Sequence, residues 1–152
     1  MKIAFDLDNT LIRNDYDFPL ETPKKKIFAR LFGVEKLRKG TIDIFKYCKN
    51  QHWETWVYTT SFRSTFYIKM LFWVHDIRLN GVINQEIHNK NVKVNSSKHP
   101  PTFGIDVLID DSEGVKMEGE RFGFTVILLK PDNDNWVETL KIDLNKGISK
   151  NK

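Results

Sequence analysis

The sequence predicts an α/β fold in which helices cover both faces of a central parallel sheet, as one domain over residues 1–145. Short apolar runs that end in polar residues alternate along the chain with segments of helical spacing, and such alternation is typical of parallel sheets. The length of 152 residues suits a single domain with one sizeable core. Hydrophobic residues make up 40% of the chain and charged residues 29%, which is typical of soluble globular proteins.

Five segments are predicted strands, because each is a short run of apolar, β-branched or aromatic residues. In chain order they are KIAF (2–5), TWVYTTS (55–61), GVIN (81–84), IDVLIDDS (105–112) and FTVILLK (124–130). Five further segments have the spacing or the end signals of helices. They are the basic amphipathic segment 24–39, then 41–51, 61–76, 112–123 and 133–144. The polar residues 146–152 are expected to form a tail.

Cysteine content and hydropathy indicate the compartment. Cys48 is the one cysteine, which rules out an internal disulfide and is compatible with a reducing compartment. Cys48 lies on a predicted core face, so we do not expect it to be a nucleophile. No apolar run approaches the roughly 18 residues of a membrane span, and the chain enters a strand pattern at once, which predicts no signal peptide. We therefore expect a cytoplasmic protein with no membrane partner.

Charge and aromatic content leave two questions about partners open. The net charge of +4 and the pI of about 9.1 suit a phosphorylated or otherwise anionic partner, but also a merely solvated surface. The aromatic side chains around the third helix are predicted to be core, with an oligomer interface as the alternative. They are Trp53, Trp56, Phe62, Phe66, Phe72 and Trp73. The four histidines, at positions 52, 75, 88 and 99, show no metal-ligand spacing.

Polar side chains cluster where three of the predicted strands end. Asp6 and Asp8 follow the first strand, Thr59 and Thr60 end the second, and Asp110 and Asp111 end the fourth. In an open parallel sheet, ligands bind outside the carboxyl ends of the strands. Four carboxylates in one crevice cannot all ionise without a cation between them. Their oxygen atoms predict a hard divalent ion, Mg²⁺. A single aspartate after a strand is usually a turn former, but three such clusters in this order favour a functional site.

The same clusters resemble the motifs of the haloacid dehalogenase-like (HAD) phosphohydrolases. FDLDNTL (5–11) resembles the first motif, VYTTS (57–61) the second and VLIDDS (107–112) the fourth. The resemblance extends from residue 2 to about residue 130. Two-component receiver domains also combine acids, a threonine and a lysine on a parallel sheet, but in a different chain order. The resemblance therefore implies a three-layer, HAD-like Rossmannoid core.

The resemblance also implies roles for these residues. Asp6 would be the nucleophile that forms a phosphoaspartate, and Asp8 the general acid and base. Thr59, with the backbone N–H of Thr60, would bind a phosphoryl oxygen at the start of a helix. Mg²⁺ would be held by Asp6, the backbone carbonyl of Asp8 and Asp110, with Asp111 binding through water or orienting the other ligands.

The lysine of the third motif has two main candidates in this sequence. Lys98 is favoured because it lies just before a pair of prolines and the fourth strand, from where it could reach the crevice. A lysine there would neutralise both Asp6 and a bound phosphate. The interval between Lys98 and Asp110 is shorter than is usual in the family, so Lys93 remains the alternative. Lys90 is a third, less favoured lysine in the same segment.

The intervals between the motifs predict a member without a full cap domain. Asp8 and Thr59 lie 51 positions apart, and Thr59 and Lys98 lie 39 apart, which leaves room only for the helices of the core. An open site would admit a large phosphorylated substrate, such as a phosphoprotein or a nucleic-acid end, although no motif favours nucleic acid. A partner subunit of a homo-oligomer could instead cover the site. The sequence thus predicts a phosphatase, with a catalytically silent domain that binds a phosphorylated or acidic partner as the alternative.

Overall fold

A five-stranded parallel sheet forms the centre of the molecule. The computed structural model describes residues 1–150, with side chains for residues 1–146. The strand order across the sheet is β3-β2-β1-β4-β5, and every neighbouring pair is parallel. The strands are β1 (Lys2–Phe5), β2 (Glu54–Tyr58), β3 (Gly81–Ile83), β4 (Val107–Asp110) and β5 (Thr125–Leu128). All five predicted strands, and the three-layer α/β/α class, are confirmed.

Helices cover both faces of the sheet. They are α1 (Lys26–Leu31), α2 (Thr41–Asn50), α3 (Thr65–Trp73), α4 (Gln85–Asn91), α5 (Glu113–Phe122) and α6 (Trp136–Lys150), with a 3-10 helix at Pro100–Phe103. Helix α6 includes residues 146–150 of the predicted tail, and residues 151–152 lie outside the described residues. The division of the chain at residue 145 stays a prediction. No helix within residues 1–150 combines the length and the apolar character that a membrane crossing requires.

Between β1 and β4, one predicted helix is much shorter than expected and one helix was not predicted. The basic segment 24–39 contains only the six-residue helix α1, because Gly33 adopts a left-handed φ of 57° just beyond it. The following residues pair instead as isolated bridges, Ile12 with Leu37 and Leu20 with Arg38. Helix α4 was missed, although Asn84 caps it by accepting a hydrogen bond from the backbone N–H of Ile87.

Helix α3 differs from its prediction in its start and in its buried face. It begins at Thr65, where the side chain of Ser64 accepts a hydrogen bond from the backbone N–H of Tyr67. Its buried residues are Ile68, Leu71 and Phe72. The helix is apolar nearly all round, so periodicity could not identify the inner face.

The prediction that the aromatic side chains around α3 belong to the core was therefore wrong for three of them. Phe62 is 75% exposed, Phe66 66% and Trp73 40%. Phe72 is buried as predicted, and Trp53 and Trp56 are half-buried.

The register of the sheet brings the polar strand ends together. Phe5, the last residue of β1, pairs with Ile109 on β4 and with Val57 on β2. The residues that follow these positions therefore emerge side by side at one edge of the sheet.

Candidate active site

Two of the predicted acids lie side by side at the ends of β1 and β4. The backbone N–H of Asp6 donates to the carbonyl of Ile109 at 2.8 Å, which extends the β1–β4 ladder by one residue. Asp110 is the last residue of β4, and both carboxylates are buried. The parallel register, rather than any loop, sets the position of the two acids.

Lys98 lies between these two carboxylates. Its Nζ is 2.5 Å from Oδ1 of Asp6 and 2.5 Å from Oδ2 of Asp110, and its side chain is 3% exposed. Lys93 and Lys90 have exposed side chains, and Lys90 pairs with Glu86 on its own helix. Of the three lysines considered, Lys98 is the one that contacts Asp6.

The segment that carries Lys98 is held at several points. Glu118 on α5 accepts hydrogen bonds from the backbone N–H and hydroxyl of Ser97, at 2.9 and 2.7 Å. The hydroxyl of Tyr58 accepts from the backbone N–H of His99 at 2.9 Å and lies 2.6 Å from Nδ1 of His88. Because residues on both sides of Lys98 are held, its position does not depend on the ion pair alone. Neither Glu118 nor Tyr58 was predicted from the sequence as a site residue.

The charges of this cluster compete. Burial raises the pKa of Asp6 to about 7, with Lys98 opposing the rise and Asp110 adding to it. Burial would lower the pKa of Lys98, but the two carboxylates outweigh it, and the pKa lies above its usual value. Burial, and then the neighbouring Asp110, also raise the pKa of Asp111. The single positive charge of Lys98 therefore does not balance the negative charge of the carboxylates around it.

Asp111 completes a group of three carboxylates. Oxygen atoms of Asp6, Asp110 and Asp111 lie within 4.8 Å of one another. The hydroxyl of Thr10 lies 3.3 Å from Asp6 and 3.2 Å from Asp111 and bridges the group. Three carboxylates against one lysine leave two negative charges, which one divalent cation would balance. The donor set is all oxygen, as hard cations such as Mg²⁺ prefer, so these residues fit the predicted metal.

Asp8 has different partners from Asp6. Nη1 of Arg63 lies 3.1 Å from Asp8, and the same guanidinium binds Glu35 through two hydrogen bonds of 3.0 Å. The hydroxyl of Tyr67 donates to Glu35 at 2.9 Å. Asn9 follows Asp8 with a left-handed φ of 61°, which turns the chain sharply after the acid. Arg63 was not predicted from the sequence, because nothing in its local pattern distinguishes it from a surface arginine.

Thr59 and Thr60 do not lie as the sequence predicted. Thr59 is buried, and its hydroxyl accepts from the backbone N–H of Ser61 at 3.1 Å, which leaves its proton free to donate. Thr60 lines the cleft above Asp6. Neither residue opens a helix, because α3 starts only at Thr65. The prediction that these residues stand at a helix N-terminus is therefore wrong, and their binding of a phosphoryl group stays a prediction.

An open cleft of about 270 Å³ lies over these groups. It is bounded by the four acids, Lys98, Thr60, small polar residues of the adjoining loops and Val115 of α5. Between β1 and β2 the described chain contains only α1 and α2 besides loops. No part of residues 1–150 forms a separate domain over the cleft.

The remaining candidates take no part in the cleft. Cys48 is buried in the core, and burial raises the pKa of its thiol to about 12. None of the four histidines joins the carboxylate group that could hold a metal. His88 and His99 instead contact the hydroxyl of Tyr58, through a ring nitrogen and a backbone N–H respectively.

Neither a protein-family model nor a curated protein matches the chain in sequence. Solved structures match it in fold. One is described as a Pnkp1/Rnl/Hen1 complex, with 15% identity, a TM-score of 0.57 and coverage of 85% of this chain but only 46% of that one.

Two further matches are bacterial proteins of similar length. A predicted HAD-like family hydrolase from Porphyromonas gingivalis has 14% identity and a TM-score of 0.52, and the match covers 94% of this chain and 97% of that one. A HAD-superfamily hydrolase of subfamily IA from Geobacter sulfurreducens has the same identity and TM-score, with 84% and 85% covered. The chain therefore has the HAD-like fold that its motifs predicted.

Proposed function

We propose that this protein is a Mg²⁺-dependent phosphatase that hydrolyses a phosphomonoester through a phosphoaspartate on Asp6. The observation that carries the proposal is the buried Asp6 carboxylate, 2.5 Å from the Lys98 ammonium at the base of an open cleft. A buried ion pair surrounded by excess carboxylates is weak evidence for a stabilising role. Perturbed ionisable groups in a cleft favour a catalytic role.

Asp6, Asp110 and Asp111 would hold the metal ion. Bound Mg²⁺ would neutralise negative charge on the site and on the phosphoryl oxygens. Lys98 contributes a permanent positive charge beside the same carboxylates. Both effects reduce the repulsion that an anionic nucleophile meets when it approaches an anionic phosphate.

In the first step, a carboxylate oxygen of Asp6 attacks phosphorus. The bond between phosphorus and the leaving oxygen breaks, and its electron pair remains on that oxygen. Asp8 gives its proton to the leaving alcohol, which departs neutral. The products of this step are the alcohol and a phosphoaspartate.

In the second step, a water molecule attacks phosphorus and the acyl phosphate bond breaks. Asp8, now a carboxylate, accepts the proton of that water. Inorganic phosphate leaves, and the Asp6 carboxylate and the Asp8 proton are both restored.

Arg63 is a positioning residue for Asp8. The guanidinium is fixed by two hydrogen bonds to Glu35 and directs its third contact, of 3.1 Å, to Asp8. A carboxylate that transfers protons must lie within hydrogen-bonding reach of both the leaving oxygen and the attacking water. Thr60, which lines the cleft, and the free proton of the Thr59 hydroxyl are the candidates for binding the phosphoryl oxygens.

Hydrolysis of an aryl phosphate tests the proposal. We expect turnover with Mg²⁺, none in excess chelator and none for Asp6→Asn, while the exposed control Asp17→Asn retains activity. Borohydride added during turnover should reduce an acyl phosphate, so that position 6 of the parent is recovered as homoserine. Turnover that persists in Asp6→Asn would refute the nucleophile. Absence of turnover on any phosphomonoester, together with binding of phosphorylated ligands, would favour the catalytically silent domain.

A further inference from the structure

A strip of exposed aromatic side chains runs from the cleft along the outer face of α3 to α1. We define this aromatic strip as Phe62, Phe66, Trp73, Phe28 and Phe32. The exposed fractions are 75%, 66%, 40%, 45% and 44% in that order. Large aromatic rings exposed in series are unusual on a soluble surface and indicate a binding site.

One end of the strip adjoins residues of the candidate active site along the chain. Phe62 lies between Thr60, which lines the cleft, and Arg63, which contacts Asp8 at 3.1 Å. From Phe66 to Trp73 the helix advances by about 10 Å, at about 1.5 Å per residue. At the far end, the rings of Trp73 and Phe28 meet edge to face with their centroids 5.3 Å apart, and Phe32 follows Phe28 at 6.3 Å.

The charge along the strip is predominantly positive. Lys24 and Lys25 pair with Asp76, and Arg63 pairs with Asp8 and Glu35. Segments 23–34 and 59–75, which carry the five rings, contain no aspartate or glutamate. Their basic residues are Lys24, Lys25, Lys26, Arg30, Arg63 and Lys69. The Lys25 ammonium lies 4.7 Å from the centre of the Trp73 ring and pairs with Asp76, so it is held at the strip. Six basic residues against three paired acids leave an excess of positive charge, which suits an anionic ligand.

We propose that the aromatic strip binds single-stranded nucleic acid, and that it guides a phosphorylated end of the strand into the cleft at Asp6. Bases stack on exposed aromatic rings without sequence preference, while basic residues follow the phosphates. A duplex does not offer free base faces, so it should bind less well. Removal of the terminal phosphate from the bound strand rests on the proposed phosphatase activity. Binding of the strand itself requires no turnover.

Binding is measured by fluorescence anisotropy of a labelled, unphosphorylated single-stranded ten-nucleotide DNA. We expect the affinity to fall as salt is raised and to fall on the order of tenfold to a hundredfold in Phe66→Ala. The matched control is Met117→Ala, because Met117 is 68% exposed on α5, away from the strip. That variant should bind the oligonucleotide like the parent.

Kinetics test the link to the cleft. The quantity compared is kcat/KM for a 5′- or 3′-phosphorylated oligonucleotide divided by kcat/KM for an aryl phosphate. Phe66→Ala should lower this ratio, whereas Met117→Ala should leave it unchanged. An aryl phosphatase whose oligonucleotide binding is absent, or is the same in Phe66→Ala, overturns the proposal. Binding to anionic lipid vesicles that needs Phe66, without binding to oligonucleotide, would overturn it in favour of a membrane surface. Oligonucleotide binding that needs Phe66 in a protein without phosphatase activity would support the strip and refute the proposed catalysis.

Discussion

Replacing Asp6 by asparagine should abolish turnover and, in the absence of metal, stabilise the folded protein at alkaline pH. Asparagine has nearly the shape of aspartate and resembles its protonated, neutral form. Asp6 is buried beside Asp110, and its pKa is raised to about 7 from an ordinary value of 3.8. The folded state therefore disfavours the ionised form of this carboxylate, even with Lys98 beside it.

The sign and size of the effect follow from this pKa. Below pH 3.8 the carboxyl is protonated in both states and contributes no difference. Between pH 3.8 and about 7 the unfolded chain releases a proton that the folded chain keeps, so stability falls as pH rises. Above about pH 7 the full cost applies. At about 1.4 kcal/mol per pKa unit, the cost is at most about 4 kcal/mol.

Urea unfolding in excess chelator at pH 5 and pH 8 measures the effect. We expect Asp6→Asn to gain about 2–4 kcal/mol over the parent at pH 8 and clearly less at pH 5. Mg²⁺ should stabilise the parent more than the variant, since the ion offsets the same charge. Asp17→Asn, at an exposed acid, should match the parent throughout. If Asp6→Asn is less stable than the parent at pH 8, the pair with Lys98 outweighs burial and the reasoning fails.

Three other predictions concern the lysine, the metal and the packing of the sheet. Lys98→Ala should lower kcat/KM for an aryl phosphate about a hundredfold or more. Replacing the exposed Lys93 by alanine should lower it by only a small factor that shrinks with added salt. Equal losses in the two variants would refute Lys98 as the catalytic lysine. Asp111→Asn should raise the Mg²⁺ concentration for half-maximal activity about tenfold or more, and an unchanged requirement would exclude Asp111 from the metal site. Gly81→Ala should destabilise by about 1–3 kcal/mol in urea unfolding, because its Cβ would lie 2.1 Å from the tryptophan ring on β2; Gly114→Ala, with no contact under 3.4 Å, is the control.

The sheet could be predicted from the sequence because its strands are buried and short. KIAF, which Asp6 follows, and VLID, which ends at Asp110, are short apolar runs, so their type was clear, although β4 is shorter at both ends than the predicted segment 105–112. Helix α1 and the exposed face of α3 could not be predicted in the same way. Helix α1 ends before Gly33 and buries none of its residues, so its apolar side chains do not mark a core face. Helix α3 is apolar on more than one side, and the pattern alone does not reveal which side the core covers.

The candidate site was predictable where residues sit at strand ends and less so elsewhere. Asp6 and Asp110 are neighbours because β1 and β4 pair in register. Lys98 reaches them from a loop whose position depends on Glu118 and Tyr58, which lie on other elements. A contact that depends on tertiary hydrogen bonds leaves no local signal in sequence, so the choice between Lys98 and Lys93 needed the structure.

The pairing of the four charged side chains explains how two aspartates separated by one residue can coexist at one site. Asp6 is paired with Lys98, and Asp8 with Arg63, so the two acids contact different cations and the repulsion between them is reduced. The two cations differ in what else they bind. Glu35 takes two hydrogen bonds of the Arg63 guanidinium, which leaves Arg63 one contact for Asp8 and keeps it from the other acids. Lys98 must serve Asp6 and Asp110 together, so that side of the cleft keeps its negative charge. A divalent ion beside Asp6, where the proposed attack on phosphorus would take place, would balance that charge, whereas the side chain of Asp8, whose proposed task is to move a proton, is already paired with Arg63.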